Sequence, residues 1–326
     1  MDVAPCARTG VMTDRCFRRA AAAALVACAL LPTRLAAQQQ HVLVITGLGG
    51  EPAYREAFAT VARRLHDVAT TRWNVPAANV TVLVEDPSVD AKRFRGRSTK
   101  EAVGAAFLAT AGRAKPGDVV FVFLHGHGSG QGAESRVNLT GPDPTAADFG
   151  TWLSGFTQQT VVFVNAASAS GDFVRVLAAP RRVVLTSTKS SVERNDTQFA
   201  THFVQGLESL EADADKDGRV TVLEAFDYAR RAVEKAYETD NKMLTEHAVL
   251  SDSTLAATVA LGARATSSDP RVAALVAERT ALEAQVATLR ARKATMPEAA
   301  YETELERLLV AIAEKTRAIR AAGGTP

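Results

Sequence analysis

Five short runs in this chain are nearly continuous in apolar residues: HVLVITG from His41, NVTVLVE from Asn79, DVVFVFLHG from Asp118, TVVFVNA from Thr160 and RRVVLTS from Arg181. A strand with one wet face alternates apolar and polar residues, so an unbroken apolar run requires cover on both faces. Amphipathic stretches such as Tyr54 to Val68 and Lys100 to Ala114 separate the runs and supply that cover. The pattern predicts an α/β fold, a parallel-dominated sheet with helices on both sides.

After the last run the period becomes helical, with Phe199, Phe203, Leu207 and Leu210 on one face, then a loop and a second helix from Val222 to Glu238. The sheet domain is expected over 41–261, followed by a small, polar, proline-ended linker at 262–270. From 271 to 322, Leu275, Leu282, Val286 and Leu289 form one apolar stripe. A second follows Met296-Pro297, at Leu305, Leu308, Ile312 and Ile319. Two stripes about a proline break predict an antiparallel helical hairpin or coiled coil. It serves either as packing against the sheet domain or against itself, or as a homo-oligomer arm; spacing alone does not separate these.

Residues 1–37 have the order of an export signal: Arg15, Arg18 and Arg19, an apolar run from Ala20 to Leu31, and Leu35-Ala36-Ala37 before three glutamines. Cleavage after Ala37 is expected, with a periplasmic or secreted product. Lipoprotein processing at Cys28 is the alternative. The apolar run is shorter than the roughly 20 residues a membrane span needs, so no transmembrane segment is expected. Cys6, Cys16 and Cys28 are the only cysteines, so the expected mature chain has neither a disulfide nor a thiol nucleophile. Lysine and arginine exceed aspartate and glutamate by only two and are scattered, which argues against a nucleic-acid partner.

Two runs end in residues that carry chemistry. VVFVFLHGHGSG leads into His125-Gly126-His127-Gly128, and VVFVNAASASG ends at Ser168 and Ser170. Sites of α/β sheets collect at such carboxyl ends. Here the chain resembles the legumain family and, more distantly, the caspases. In that family one strand ends in a His-Gly-Ser turn and the next in Glu-Ala-Cys-Glu-Ser-Gly. Matching the strands sets the family's catalytic histidine on His127 and its catalytic cysteine on Ser168, with Ala167 and Gly171 agreeing. TGLGGEPAYR, from Thr46 to Arg55, is similar to the family's AGSNGWYNYR-type segment, so Tyr54 and Arg55 match. Ala166 and Ala53 replace an acidic residue and an asparagine of the family pattern, so its asparagine specificity does not transfer.

The resemblance implies a caspase-like sheet. It also implies a peptidase homologue that has lost cysteine-peptidase activity and binds a peptide or protein, with Arg55 and Gly128 as ligand contacts. An active serine-type hydrolase is the alternative, with Ser168 attacking, His127 as base and Ser170 as fallback nucleophile. A serine hydroxyl is a far weaker acid than a thiol of pKa about 8.5, so that route needs a carboxylate to hold the imidazole and an oxyanion hole. No carboxylate lies beside His127 in the sequence. His125 is expected to be structural. A third reading makes the hairpin an assembly element and the sheet domain its platform.

One motif stands apart from any resemblance. DADKDGRVTVLE, from Asp213 to Glu224, fits the twelve-residue EF-hand loop in register. Asp213, Asp215 and Asp217 supply carboxylates, Gly218 the turn, Arg219 a carbonyl, Thr221 the water-linked position and Glu224 a bidentate carboxylate. Hard oxygen donors at this spacing suit Ca2+. With no second loop in the sequence, a structural clamp of extracellular affinity is expected, about 0.1 to 1 mM.

Overall fold

A computed structural model describes residues 38–209, 211–215, 217–262 and 269–323. The expected export signal at 1–37 lies outside the described residues, as do Leu210 and most of the expected linker.

The apolar runs form the strands of one seven-stranded sheet. In chain order they are β1 (Gln40–Thr46), β2 (Val80–Val84), β3 (Gly96–Arg97), β4 (Val119–His125), β7 (Thr160–Asn165), β8 (Arg182–Thr186) and β10 (Val249–Leu250), arranged β10-β8-β7-β4-β1-β2-β3. All neighbours are parallel except β10, which joins β8 antiparallel. Two small ribbons pair β5 (Gly128–Ser129) with β6 (Arg136–Val137), and β9 (Val220–Thr221) with β11 (Ala260–Leu261). The fold is α/β with a mostly parallel sheet.

Side-chain alternation along each buried strand divides the core in two. Val42, Val44, Phe121, Phe123, Val162, Val164, Val183 and Leu185 face one side. There they meet α1 (Pro52–Asp67), α5 (Phe199–Ser209) and α6 (Val222–Thr239). Leu43, Ile45, Val120, Val122, Leu124, Val161, Phe163 and Val184 face the other. Their cover is α2 (Lys100–Arg113), α3 (Ala146–Leu153) and α4 (Asp172–Leu177), through Phe107, Phe149 and Phe173. Each fully buried phenylalanine adds about 1.5 to 3 kcal/mol by leaving water. Both faces are therefore sealed, as the continuous apolar runs require.

Pro52 opens α1 at its first turn, where a missing N–H costs nothing. The helix continues into a π turn over Val68–Arg72, so it ends differently from the simple amphipathic stretch expected. A four-residue helix, α7 (Ser253–Ala256), precedes β11. The C-terminal residues fold as an antiparallel hairpin of α8 (Pro270–Ala291) and α9 (Glu298–Ala321). Val286 and Leu289 pack on Tyr301 and Leu308 near the turn, and Val272 and Val276 pack on Ile319 at the open end. Helix α8 begins at Pro270, one residue earlier than expected, because the Asp269 carboxylate accepts the Arg271 N–H and caps it. Among the described residues no helix is long and apolar enough to cross a membrane.

Candidate functional site

Strands β4 and β7 are immediate neighbours, paired in parallel from Val119↔Thr160 to Leu124↔Asn165, so their carboxyl ends emerge side by side. The chain beyond each tip is then forced close. A Cβ on Gly128 would collide with the Ser168 carbonyl oxygen, and one on Gly126 would lie 2.9 Å from the Gly47 Cα. Only glycine permits these crossings.

Ser168 is 3% exposed, and its Oγ accepts the Gly128 N–H at 3.3 Å. The next residue, Ala169, is held at φ +53°, where an L side chain is strained, and its N–H donates to the Glu193 carbonyl at 2.7 Å. Ser170 is sequestered. Its hydroxyl lies 3.3 Å from that of Ser187 and 3.1 Å from that of Thr188, and its N–H donates to Thr188 Oγ1 at 2.8 Å. Such a hydroxyl cluster holds backbone together rather than presenting a nucleophile.

His127 faces another way. Its ring lies edge-on to Tyr54, 4.9 Å between centroids, and 5.3 Å from Phe58, one helical turn along α1. Nδ1 is 3.7 Å from Oδ1 of Asp196, and the Tyr54 hydroxyl donates to Oδ2 of the same carboxylate. That bond, with the Asp196 charge behind it, raises the Tyr54 phenol above its ordinary value. Among the described residues no hydrogen bond joins His127 to Ser168. Asp196 also borders an open depression of about 660 Å³ that includes Arg194, Tyr237, Lys242 and Met243. Arg55, expected to meet a ligand, has its Nε 2.9 Å from Glu85, whose second oxygen accepts the Gly49 N–H.

The segment behind Ser168 is braced by residues that carry no sequence signal. Glu193 and His247 pair at 2.6 Å. Glu246 is buried and accepts the N–H groups of Gln198 and Phe199 at the start of α5; burial pushes its carboxyl up to about 7.

The second polar cluster is the loop from Asp213 to Glu224. Ligand oxygens of Asp213, Asp215 and Glu224 lie within 4.8 Å of one another. Asp213 accepts the N–H groups of Asp217 and Gly218 at 3.0 and 2.8 Å, and Gly218 takes φ +83° at the turn. Thr221 and Glu224 form a reciprocal capping box at the start of α6, so both are already shaped as loop end and helix start. Val220 and Leu261 pair antiparallel across β9 and β11, which ties the end of the loop to the segment after α7. Asp217 is turned differently from the other carboxylates. Its Oδ2 is 2.9 Å from an Arg279 guanidinium nitrogen, and its carbonyl accepts from the other at 3.1 Å. Desolvation, then the Asp217 and Glu224 charges, push Asp215 up to about 6. Crowded, partly unneutralised oxygen donors fit a hard divalent cation.

No family model matches the sequence, and no curated protein matches it. Among solved structures, the crystal structure of drICE is 10% identical with a TM-score of 0.41, covering 67% of this chain and 88% of that one. A likeness that distant assigns neither an activity nor a ligand to this chain.

His125 ends β4, buried against Phe58 and Phe123, and burial lowers its imidazole from 6.5 to about 4. Above pH 6.5 it is neutral in both folded and unfolded chains. As pH falls toward about 4 only the unfolded chain takes up the proton, so stability is lost across that window. Glu246 acts in the opposite sense below about 7, so the informative quantity is a difference between variants. Urea denaturation at pH 7 and pH 5 should show His125→Gln losing about 2 kcal/mol less than wild type on acidification. Equal losses would mean that His125 is not buried neutral.

Proposed function

We propose that this chain is an exported legumain/caspase-like homologue without cysteine-peptidase activity, which binds a peptide or protein across the β4 and β7 tips. The observation that carries the reading is the orientation of the two dyad positions. The Ser168 hydroxyl is buried and accepts a backbone N–H, while His127 turns toward Asp196 and Tyr54. A general base must reach the proton it removes, and that contact is absent among the described residues. The depression beside Asp196, with exposed Met243 and the flanking Arg194 and Lys242, offers a mixed apolar and charged surface for a chain segment.

The serine-hydrolase reading draws on one specific feature, Asp196 within 3.7 Å of His127 Nδ1. A carboxylate there would orient the imidazole as serine enzymes require. A fluorophosphonate probe separates the two. Wild type is expected to stay unlabelled at Ser168 while native-like in circular dichroism. Labelling that vanishes in Ser168→Ala would establish the hydrolase.

Calcium is proposed as a structural clamp in the loop, held by Asp213, Asp215, Asp217, Glu224 and the Arg219 carbonyl, with Thr221 at the water-linked position. It would neutralise the carboxylates that α5 and α6 bring together. A ligand that binds only the folded state raises stability by mass action, about 2.7 kcal/mol at a hundredfold excess over Kd. Chelation should therefore lower the melting temperature of wild type, and Glu224→Gln should melt alike with and without chelator. Identical melting of wild type in both conditions would refute the clamp.

A further inference from the structure

Arg279 is among the largest side chains in the molecule to be fully buried, with 0% exposure, yet it lies on the hairpin helix α8, most of whose residues face solvent. Its guanidinium holds the Asp217 carboxylate at 2.9 Å and the Asp217 carbonyl at 3.1 Å, and its Nε lies 3.0 Å from Glu283 one turn along. A buried arginine needs paired charge, because its partners must offset the cost of stripping its water. Asp217 is therefore part of what seats the hairpin.

Asp217 is also position five of the calcium loop, and both of its oxygens are in use. Oδ1 accepts the Arg219 N–H at 2.8 Å, and Oδ2 faces Arg279. An ion coordinated at about 2.3 to 2.6 Å would draw one of these oxygens to itself and set a double positive charge beside a buried guanidinium. The guanidinium is a fixed cation supplied by the chain, held on the position-five carboxylate beside the Asp213, Asp215 and Glu224 cluster.

We propose that Arg279 is a latch: the C-terminal hairpin and a calcium ion compete for the Asp217 carboxylate, so calcium loading of the loop releases the hairpin. The coupling rests on the calcium reading of the loop and adds its regulation. Because linkage is reciprocal, the docked hairpin lowers calcium affinity by the same factor by which calcium weakens docking. The ion then clamps α5 to α6 while it frees the hairpin, whose apolar seam between α8 and α9 stays intact.

Two measurements on the full chain, with Ca2+ alone as ligand, test this. Calorimetric titration should show Arg279→Met binding Ca2+ on the order of tenfold more tightly than wild type, within the range usual for coupled sites. Hydrogen exchange of unsubstituted protein should show the loop-facing residues of α8 around Arg279 losing protection on Ca2+ addition, while the sheet strands do not. Equal affinities in the two proteins, or unchanged or greater protection of α8 in wild type, would overturn the latch while leaving the calcium site standing. Absence of binding heat in both proteins would instead remove the calcium reading, and the latch with it.

Discussion

The parallel ladder between β4 and β7 fixes the rest of the arrangement. Because both strands are buried on both faces, neither can slip by one residue without driving Phe121, Phe123 and Phe163 to the opposite side of the sheet. The register is therefore pinned, and so is the place where each strand ends. His127 and Ser168 become neighbours as a consequence of sheet packing, through the glycine crossings at Gly126 and Gly128. The same rigidity fixes their orientation, since the Ser168 segment is held from behind by Glu193 and the Thr188 hydroxyl.

That orientation underlies the binding role proposed for the tips. A nucleophile needs access and a base, whereas Ser168 is enclosed and its hydroxyl is engaged by a backbone donor. The polar groups that do reach solvent, His127, Tyr54 and Asp196, form their own set at the edge of an open depression. These groups and the mixed polar and apolar lining of the depression are the surface to which the proposed peptide binding is assigned. The Asp213–Glu224 loop lies elsewhere, between α5 and α6 and beside α8, where crowded carboxylates call for a neighbouring cation. Arg279 is one such cation.

Much of the fold was legible in the sequence, and the reason is local. Continuous apolar runs announce strands with two covered faces, and the Asp213 to Glu224 motif announces its loop because each ligand position is set by neighbours in the chain. Orientation was not legible. Asp196 reaches His127, Glu246 reaches the start of α5, and Arg279 reaches Asp217 across 62 residues of chain; each contact exists only once distant elements have packed. Arg55 shows the converse. Its position matched the resemblance, but its engagement with Glu85 depended on a loop that no spacing encodes.

Central to the proposed role is a strand-tip face that holds peptides without cutting them. Incubating the purified full chain with a mixed peptide library and following the library by mass spectrometry examines that claim directly. Peptides retained on the protein with their termini intact are predicted. New termini that accumulate with time, and that disappear in Ser168→Ala, would contradict it.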